Sequence, residues 1–545
     1  MVSTISSAPA MCAHPPPMPL PPPFIAALLR PSAYPHTAEA VQLRETHISW
    51  VFLAGAYAYK IKKPVVFGFV DFSTVERRIL ACADEVRLNQ RLCPDVYLGV
   101  VSIVAREDGA FHVGGAGRAI EPAVKMRRLP ETGMLPALIE REEVGVRLAD
   151  RLAIQLARFH ATAATGAGID EWGIPAAIRA NWAENFAETA AVSEAVLPAA
   201  IVGTVRAAIE RVLKDQDPLL ERRVAEGYIR DGHGDLHCGN VCIEGRRIQL
   251  FDCLEFSPRY RCADVAAEVA FLAMDLTARG RADLAHTFVK GYIRASGDQQ
   301  LATLLDFYAC YRAWVRGKVE ALRLAEPGHT TDERRMFAAT ARRYFTLAQA
   351  YIAPPARPVL VVTLGLPASG KTRLARALAG HLRLIHLSSD LIRKELGGRQ
   401  PLERREDGFG QGLYRPAMSH RTYTALRRRA AYWLRQGHSV VLDGTFGQPA
   451  ELAAVRRLAE RRGARLVLLH CQADDATIST RLAARAQDPL SVSDARLSLL
   501  PALRAAFIPP APRPDVLTLD MGGAFEAALD QALLRIGGPD DQVLR

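Results

Sequence analysis

Residues 232–252 read GHGDLHCGNVCIEGRRIQLFD. The stretch places an acid at Asp235, an amide at Asn240 and a second acid at Asp252, just past the apolar run 248–251. Phosphoryl transfer asks a protein for positioning and charge neutralisation, with little covalent chemistry. An Asp orients the attacking hydroxyl and takes its proton, and an Asn five residues on helps to hold Mg²⁺. A carboxylate at the end of a following strand adds another hard oxygen ligand. The stretch therefore predicts a phosphoryl-transfer loop. Most of the first 350 residues read as the scaffold that presents it.

Upstream, 47–53 is a β-prone run, 54–56 a turn, and 57–63 alternates before Pro64. Side chains repeat every two residues along a strand, so Lys60 and Lys62 share a face and Lys63 opposes them. One of the first two is placed to reach an ATP phosphate. A helix is expected over 73–92, with Ser73 as N-cap and Glu76 completing a capping box. Glu85 lies near the end of that helix. A strand Lys followed by a helix Glu is the pairing that fixes an amine on nucleotide phosphates. A solvent-facing Glu85 is the plainer alternative. Further strands are expected over 97–104, 111–113 and 123–126. Helices are expected over 147–164, within 178–216, and over 263–274, 282–296, 301–324 and 334–351.

Residues 353–358 form a stiff Pro-rich linker. Beyond it apolar runs at 359–364, 384–387, 439–442, 466–470 and 516–519 alternate with helical segments, which predicts a parallel sheet covered by helices. No internal repeat relates the two halves. Directly after the first run stands Gly365-Leu-Pro-Ala-Ser-Gly370-Lys371-Thr372. Glycine-rich backbone N–H groups at a helix start cradle phosphate oxygens, a Lys reaches the β/γ-phosphates, and a Thr hydroxyl meets Mg²⁺. Asp390 ends the second run, with Arg393 close behind it. Asp443 ends the third, where a magnesium or acceptor contact belongs. Arg481 and Arg485 are one helical turn apart on one face.

The chain has 545 residues, too many for one core. It is 49% hydrophobic and 23% charged, as in a globular protein. Nine scattered cysteines argue against a disulfide framework and for a reducing, cytoplasmic setting. No apolar run of about 18 residues is present, so no membrane span is expected. Residues 1–24 read as a disordered Pro-rich tail rather than a signal peptide. The net charge is +11, and residues 358–545 carry 27 Lys+Arg against 18 Asp+Glu. Arg suits phosphate, so a nucleic-acid partner is conceivable there; an arginine-rich solvated face is the plainer reading. No aromatic-interleaved basic groove supports nucleic acid. Clustered His237, Cys238, Cys242, Cys253 and Cys262 lack the paired spacing of structural zinc. The oligomeric state is not legible.

His233-Gly-Asp235-Leu-His237-Cys-Gly-Asn240 followed by Leu250-Phe-Asp252 resembles the aminoglycoside phosphotransferase family, whose fold is protein-kinase-like. The resemblance spans about residues 25–350. It implies Asp235 as catalytic base, Asn240 and Asp252 as magnesium ligands, and Lys60 with Glu85 as the phosphate-anchoring pair. The turn at Gly55 has one glycine where protein kinases have three. The second half is similar to P-loop kinases of the zeta-toxin, gluconate-kinase and polynucleotide-kinase kind. That likeness implies Asp390 as base toward the acceptor hydroxyl, Arg393 as acceptor contact, and Arg481 and Arg485 as lid arginines on the nucleotide. The whole chain resembles bacterial proteins that join the two.

The expected architecture is thus an α+β protein-kinase-like two-lobed domain followed by an α/β P-loop NTPase domain with a parallel sheet. Its parts are an N-lobe at 25–126, a helical C-lobe at 127–352, the linker 353–358 and the P-loop domain 359–545. The expected activity is ATP- and Mg²⁺-dependent phosphorylation of small hydroxyl compounds, sugar- or aminoglycoside-like at the first site. The alternatives are a regulatory ATPase with an inert kinase-like half, and a polynucleotide 5′-hydroxyl kinase.

Overall fold

Val359–Leu364 is buried at every residue, as an unbroken apolar run requires of a strand covered on both faces. It is the centre of a five-stranded parallel sheet. Ile385–Ser388 and Val440–Asp443 lie on one side, in that order inward, and Arg465–Gln472 and Val516–Asp520 on the other. Separate apolar clusters pack on its two faces. Open parallel sheets bind ligands at the carboxyl ends of their strands, and the glycine-rich loop leaves the central strand at that end. The computed structural model describes residues 22–68, 70–326, 328–403, 408–487 and 492–537.

The chain divides into two compact units, Met1–Pro130 with Gln249–Arg261, and Glu131–Ile248 with Cys262–Arg545. The first holds a six-stranded antiparallel sheet in the order Val41–Glu45, Ser49–Ala54, Tyr57–Lys62, Arg118–Arg127, Tyr97–Ala105, Phe111–Val113. The helix Val75–Asn89 packs on it. Thr74, rather than Ser73, is its N-cap, accepting from the Arg77 N–H. Ser73 instead bonds Asp71 through its N–H and hydroxyl. Residues 1–21 of the expected tail lie outside the described residues, and Pro23–Ala27 is a short helix burying Phe24 and Ile25.

The second unit contains both the helical region and the parallel sheet. Its helices include Val146–Thr162, Val265–Ala278, Ala282–Ser296, Leu301–Leu322 and Thr331–Ile352. Val265–Ala278 is buried at every residue, so it is apolar all round except where polar groups have assigned partners. The linker 353–358 does not free the P-loop region from these helices. Arg383 pairs with Asp306 at 2.9 Å, and the His286 ring meets the Trp433 ring at 5.0 Å. Gly380, in the helix Lys371–Leu382, lies so close to Ala278 that a Cβ there would sit 2.5 Å from the Ala278 carbonyl. We expect Gly380→Val to destabilise the protein by about 1–3 kcal/mol through overpacking. A lowered urea midpoint would register it, and an unchanged midpoint would mean that this joint is loose.

Candidate active sites

In the first unit, Lys60 and Lys62 both point at Glu85. Lys60 Nζ donates to Glu85 Oε1 at 2.8 Å and to Asp252 Oδ1 at 2.7 Å. Lys62 lies beyond, fully buried, between Glu85 and Glu255. Burial works against the Lys60 charge. The Asp252 and Glu85 carboxylates more than offset it and hold Lys60 well above the usual lysine range. Burial likewise raises Glu85, but the two lysines win and leave it below the usual carboxylate range. For Glu255, burial wins and the shift is upward.

Asp252 has φ of 63°, a left-handed conformation that costs a non-glycine residue free energy. The Tyr97 hydroxyl accepts its N–H at 3.1 Å, and Asn89 Oδ1 accepts the next N–H, that of Cys253, at 2.8 Å. These bonds and the Lys60 ion pair hold the strained acid in place. Gly55 also has a left-handed φ of 55°, and a Cβ there would meet the Thr37 carbonyl at 2.7 Å. That glycine is required by the packing of the turn on the preceding segment.

In the second unit, Asp235 and Asn240 lie in one tight loop. Asn240 Nδ2 donates to the Asp235 carbonyl at 2.9 Å and approaches its Oδ2 at 3.4 Å. His237 Nε2 lies 3.5 Å from the same Oδ2. Two carboxylates of the buried helix Val265–Ala278 hold the loop backbone. Glu268 Oε2 accepts the His233 and Gly234 N–H groups at 2.7 and 3.2 Å. Asp275 Oδ2 accepts the Cys238 N–H at 2.9 Å. Arg312 Nη1 donates to the Gly234 carbonyl at 3.2 Å. Glu268 and Asp275 are seven residues apart on one helical face, a spacing in an otherwise apolar helix that the sequence reading passed over.

Burial alone would raise Glu268; His160 and the His233 backbone outweigh it and bring it to about 2. A folded-state pKa below the unfolded one contributes stability above the unfolded pKa, lost as pH falls through the folded value. Glu268 therefore contributes about 3 kcal/mol, present at neutral pH and lost between roughly pH 4.5 and 2. Urea unfolding at stepped pH should show Glu268→Gln less stable at pH 7 and with a shallower acid loss. An identical acid limb in both proteins would contradict this.

The P-loop region forms a further site. Gly365 (φ 138°) and Gly370 (φ 93°) have backbone no other residue adopts readily, and a Gly365 Cβ would run into the Cys471 carbonyl. Lys371 Nζ donates to the Leu366 carbonyl across the loop at 2.6 Å, and burial draws its pKa down. Thr372 Oγ1 donates to Asp443 Oδ2 at 2.7 Å. His386 Nε2 approaches the same oxygen at 3.4 Å, and Thr363 donates to Oδ1 at 3.3 Å.

A cavity of about 890 Å³ opens on these groups. Gly370, Lys371, Thr372, Asp443, Arg481 and Arg485 line it together with Asp390 and Arg393. Burial raises the Asp390 carboxyl despite Arg393. Arg393 Nη1 donates to the Leu413 carbonyl and to Ser419 Oγ, and its guanidinium lies over the Tyr414 ring. Arg481 Nη2 donates to the Met521 carbonyl at 2.7 Å, so one arm is tied to the loop that ends the sheet. Tyr414 and Glu451 also line the cavity; neither stood out in the sequence.

Residues 76–304 match the model of the phosphotransferase enzyme family, and residues 360–510 match an AAA domain model. The chain is 35% identical over 474 residues to an uncharacterized protein of Mycobacterium tuberculosis strain H37Rv, covering 87% of this chain and 91% of that protein. It matches an uncharacterized protein of Mycobacterium bovis to the same extent. The chain belongs to this two-domain phosphotransferase family. Among solved structures, it is similar to a choline/ethanolamine kinase family protein from Mesorhizobium loti, at 14% identity and a TM-score of 0.34. That match covers 60% of this chain and 98% of the other. A gluconokinase from Sinorhizobium meliloti 1021 matches at 17% identity and a TM-score of 0.25, covering 33% of this chain and 92% of that one. The two domain matches make this chain a phosphotransferase enzyme of the kinase type.

Proposed function

We propose that the protein is an ATP-dependent phosphotransferase with two nucleotide sites, each transferring phosphate to a hydroxyl of a small molecule. One observation carries the reading for the P-loop region. A single cavity holds the phosphate-binding loop and, beside it, an acid and a guanidinium that a plain ATPase does not need. The acceptor hydroxyl gives its proton to Asp390 as its oxygen bonds the γ-phosphorus, and the bond to the ADP oxygen breaks. Burial raises the Asp390 carboxyl, which strengthens it as a base. The loop N–H groups and Lys371 stabilise charge on the phosphate oxygens. Arg393 orients the acceptor, and Arg481 and Arg485 lie on the nucleotide side. Thr372 and Asp443, already in contact, are the pair that would hold Mg²⁺. The ion would supply charge neutralisation during the transfer.

In the kinase-like region Asp235, in the second unit, is the base and Asn240 would be a metal ligand; in the first unit Asp252 would be a metal ligand. Lys60, fixed by Glu85, neutralises nucleotide phosphate. The tied-down loop around Asp235 and the phosphotransferase family match support these roles. Among the described residues no helix is long and apolar enough to cross a membrane. The eight described cysteines are buried and outside any disulfide, which supports a reducing, cytoplasmic setting.

A panel of sugars, aminoglycosides, nucleosides and oligonucleotides, scored for ATP-dependent phosphorylation, tests the proposal. We expect products from small hydroxyl compounds. ATP hydrolysis with no phosphorylated product would favour a regulatory ATPase instead.

A further inference from the structure

The cavity at the P-loop extends past Asp390 to Glu451, in the first turn of the helix Pro449–Arg462. Among the described residues no hydrogen bond or ion pair engages the carboxylate of Glu451 or of Asp390. The cation beside them, Arg393, already has Nη1 engaged by Leu413 and Ser419. Tyr414, Tyr423 and Phe507 form apolar wall around them. Burial pushes Glu451 up to about 7, against the pull of Arg427 and Arg393. A poorly solvated carboxylate without a partner is costly, and a bound donor group removes that cost. An anionic group brought to the same place would meet the two acids, with Arg393 partly engaged and Arg427 acting on Glu451, and juxtaposed like charges are penalised by several kcal/mol.

We propose that Glu451 is a specificity-determining residue that accepts a hydrogen bond from a second donor group of the acceptor, so that the P-loop site takes polyhydroxylated small molecules without net negative charge. The second group is a hydroxyl or an ammonium; either satisfies the carboxylate. Its bond adds to the affinity of the site for the acceptor. A site built to bond a polar group strongly rejects an analogue that lacks it. The inference rests on the cavity being a kinase acceptor site.

The test uses full-length protein carrying Asp235→Ala, so that turnover reports the P-loop site. Its acceptors are matched sets of a polyol, its aminated analogue and its carboxylated analogue. With Glu451 present, the carboxylated member should show a KM at least about tenfold above the other two, equivalent to about 1.4 kcal/mol. Glu451→Gln should remove most of that gap through KM, with kcat for the polyol within about threefold, because specificity here is a difference of binding energies. A carboxylated acceptor preferred with Glu451 present would overturn the inference. So would a Glu451→Gln effect on kcat that is equal for all three members. If no member is phosphorylated, or if transfer survives Lys371→Ala and Asp390→Asn, the kinase reading of the cavity fails and this inference with it.

Discussion

Asp390→Asn should slow phosphotransfer at the P-loop site by about 10²–10⁴-fold, the contribution of a positioned general base. The substitution keeps the shape of the side chain and removes its basicity. Asp390 lies in the cavity wall and, among the described residues, makes no hydrogen bond or ion pair with the loop that binds phosphate, so ATP affinity should hold while kcat falls. Burial raises the Asp390 carboxyl, so the activity of the unmodified site should fall as pH drops through a value above the ordinary aspartate range. Below that value the base is protonated. Steady-state rates across pH for both proteins check this. An unchanged rate in Asp390→Asn would reduce Asp390 to a structural acid.

Asp235→Ala should abolish transfer at the first site, again a loss of about 10²–10⁴-fold, without unfolding the loop. The loop is held through its backbone, by Glu268 at His233 and Gly234 and by Asp275 at Cys238. The Asp235 side chain is itself 40% exposed, with Asn240 Nδ2 at 3.4 Å and His237 Nε2 at 3.5 Å from its Oδ2. Its removal should therefore leave the thermal midpoint nearly unchanged. Loss of activity accompanied by a large drop in midpoint would make Asp235 a structural residue.

The elements that follow a strict period were legible in the sequence. The apolar runs beyond residue 358 became the five parallel strands, because a strand covered on both faces must be apolar throughout. Strand alternation put Lys60 and Lys62 on one face, and the kinase resemblance paired Lys60 with Glu85. That the same alternation sends Lys62 to Glu85 as well was within the same argument. The rest depended on tertiary contacts. Asp252 adopts a left-handed φ that no local pattern announces in an aspartate, since Tyr97 and Lys60 impose it from other strands. Thr74 rather than Ser73 caps the helix, accepting the Arg77 N–H, while Ser73 donates to Asp71. Glu268 and Asp275 were visible as two acids in an apolar helix, but their partners are loop amides about 35 residues upstream. Glu451 reaches the cavity only because its helix follows a strand adjacent to the central one.

Two separate phosphotransferase sites on one chain should make separable sets of products. The most direct measurement compares phosphorylated products formed from the acceptor panel by full-length Lys371→Ala, Asp235→Ala and the double variant. Each single variant should lose one set of products and keep the other, and the double variant should make none. If Lys371→Ala alone removes all ATP turnover and Asp235→Ala removes none, the kinase-like region is inert and the two-site account is wrong.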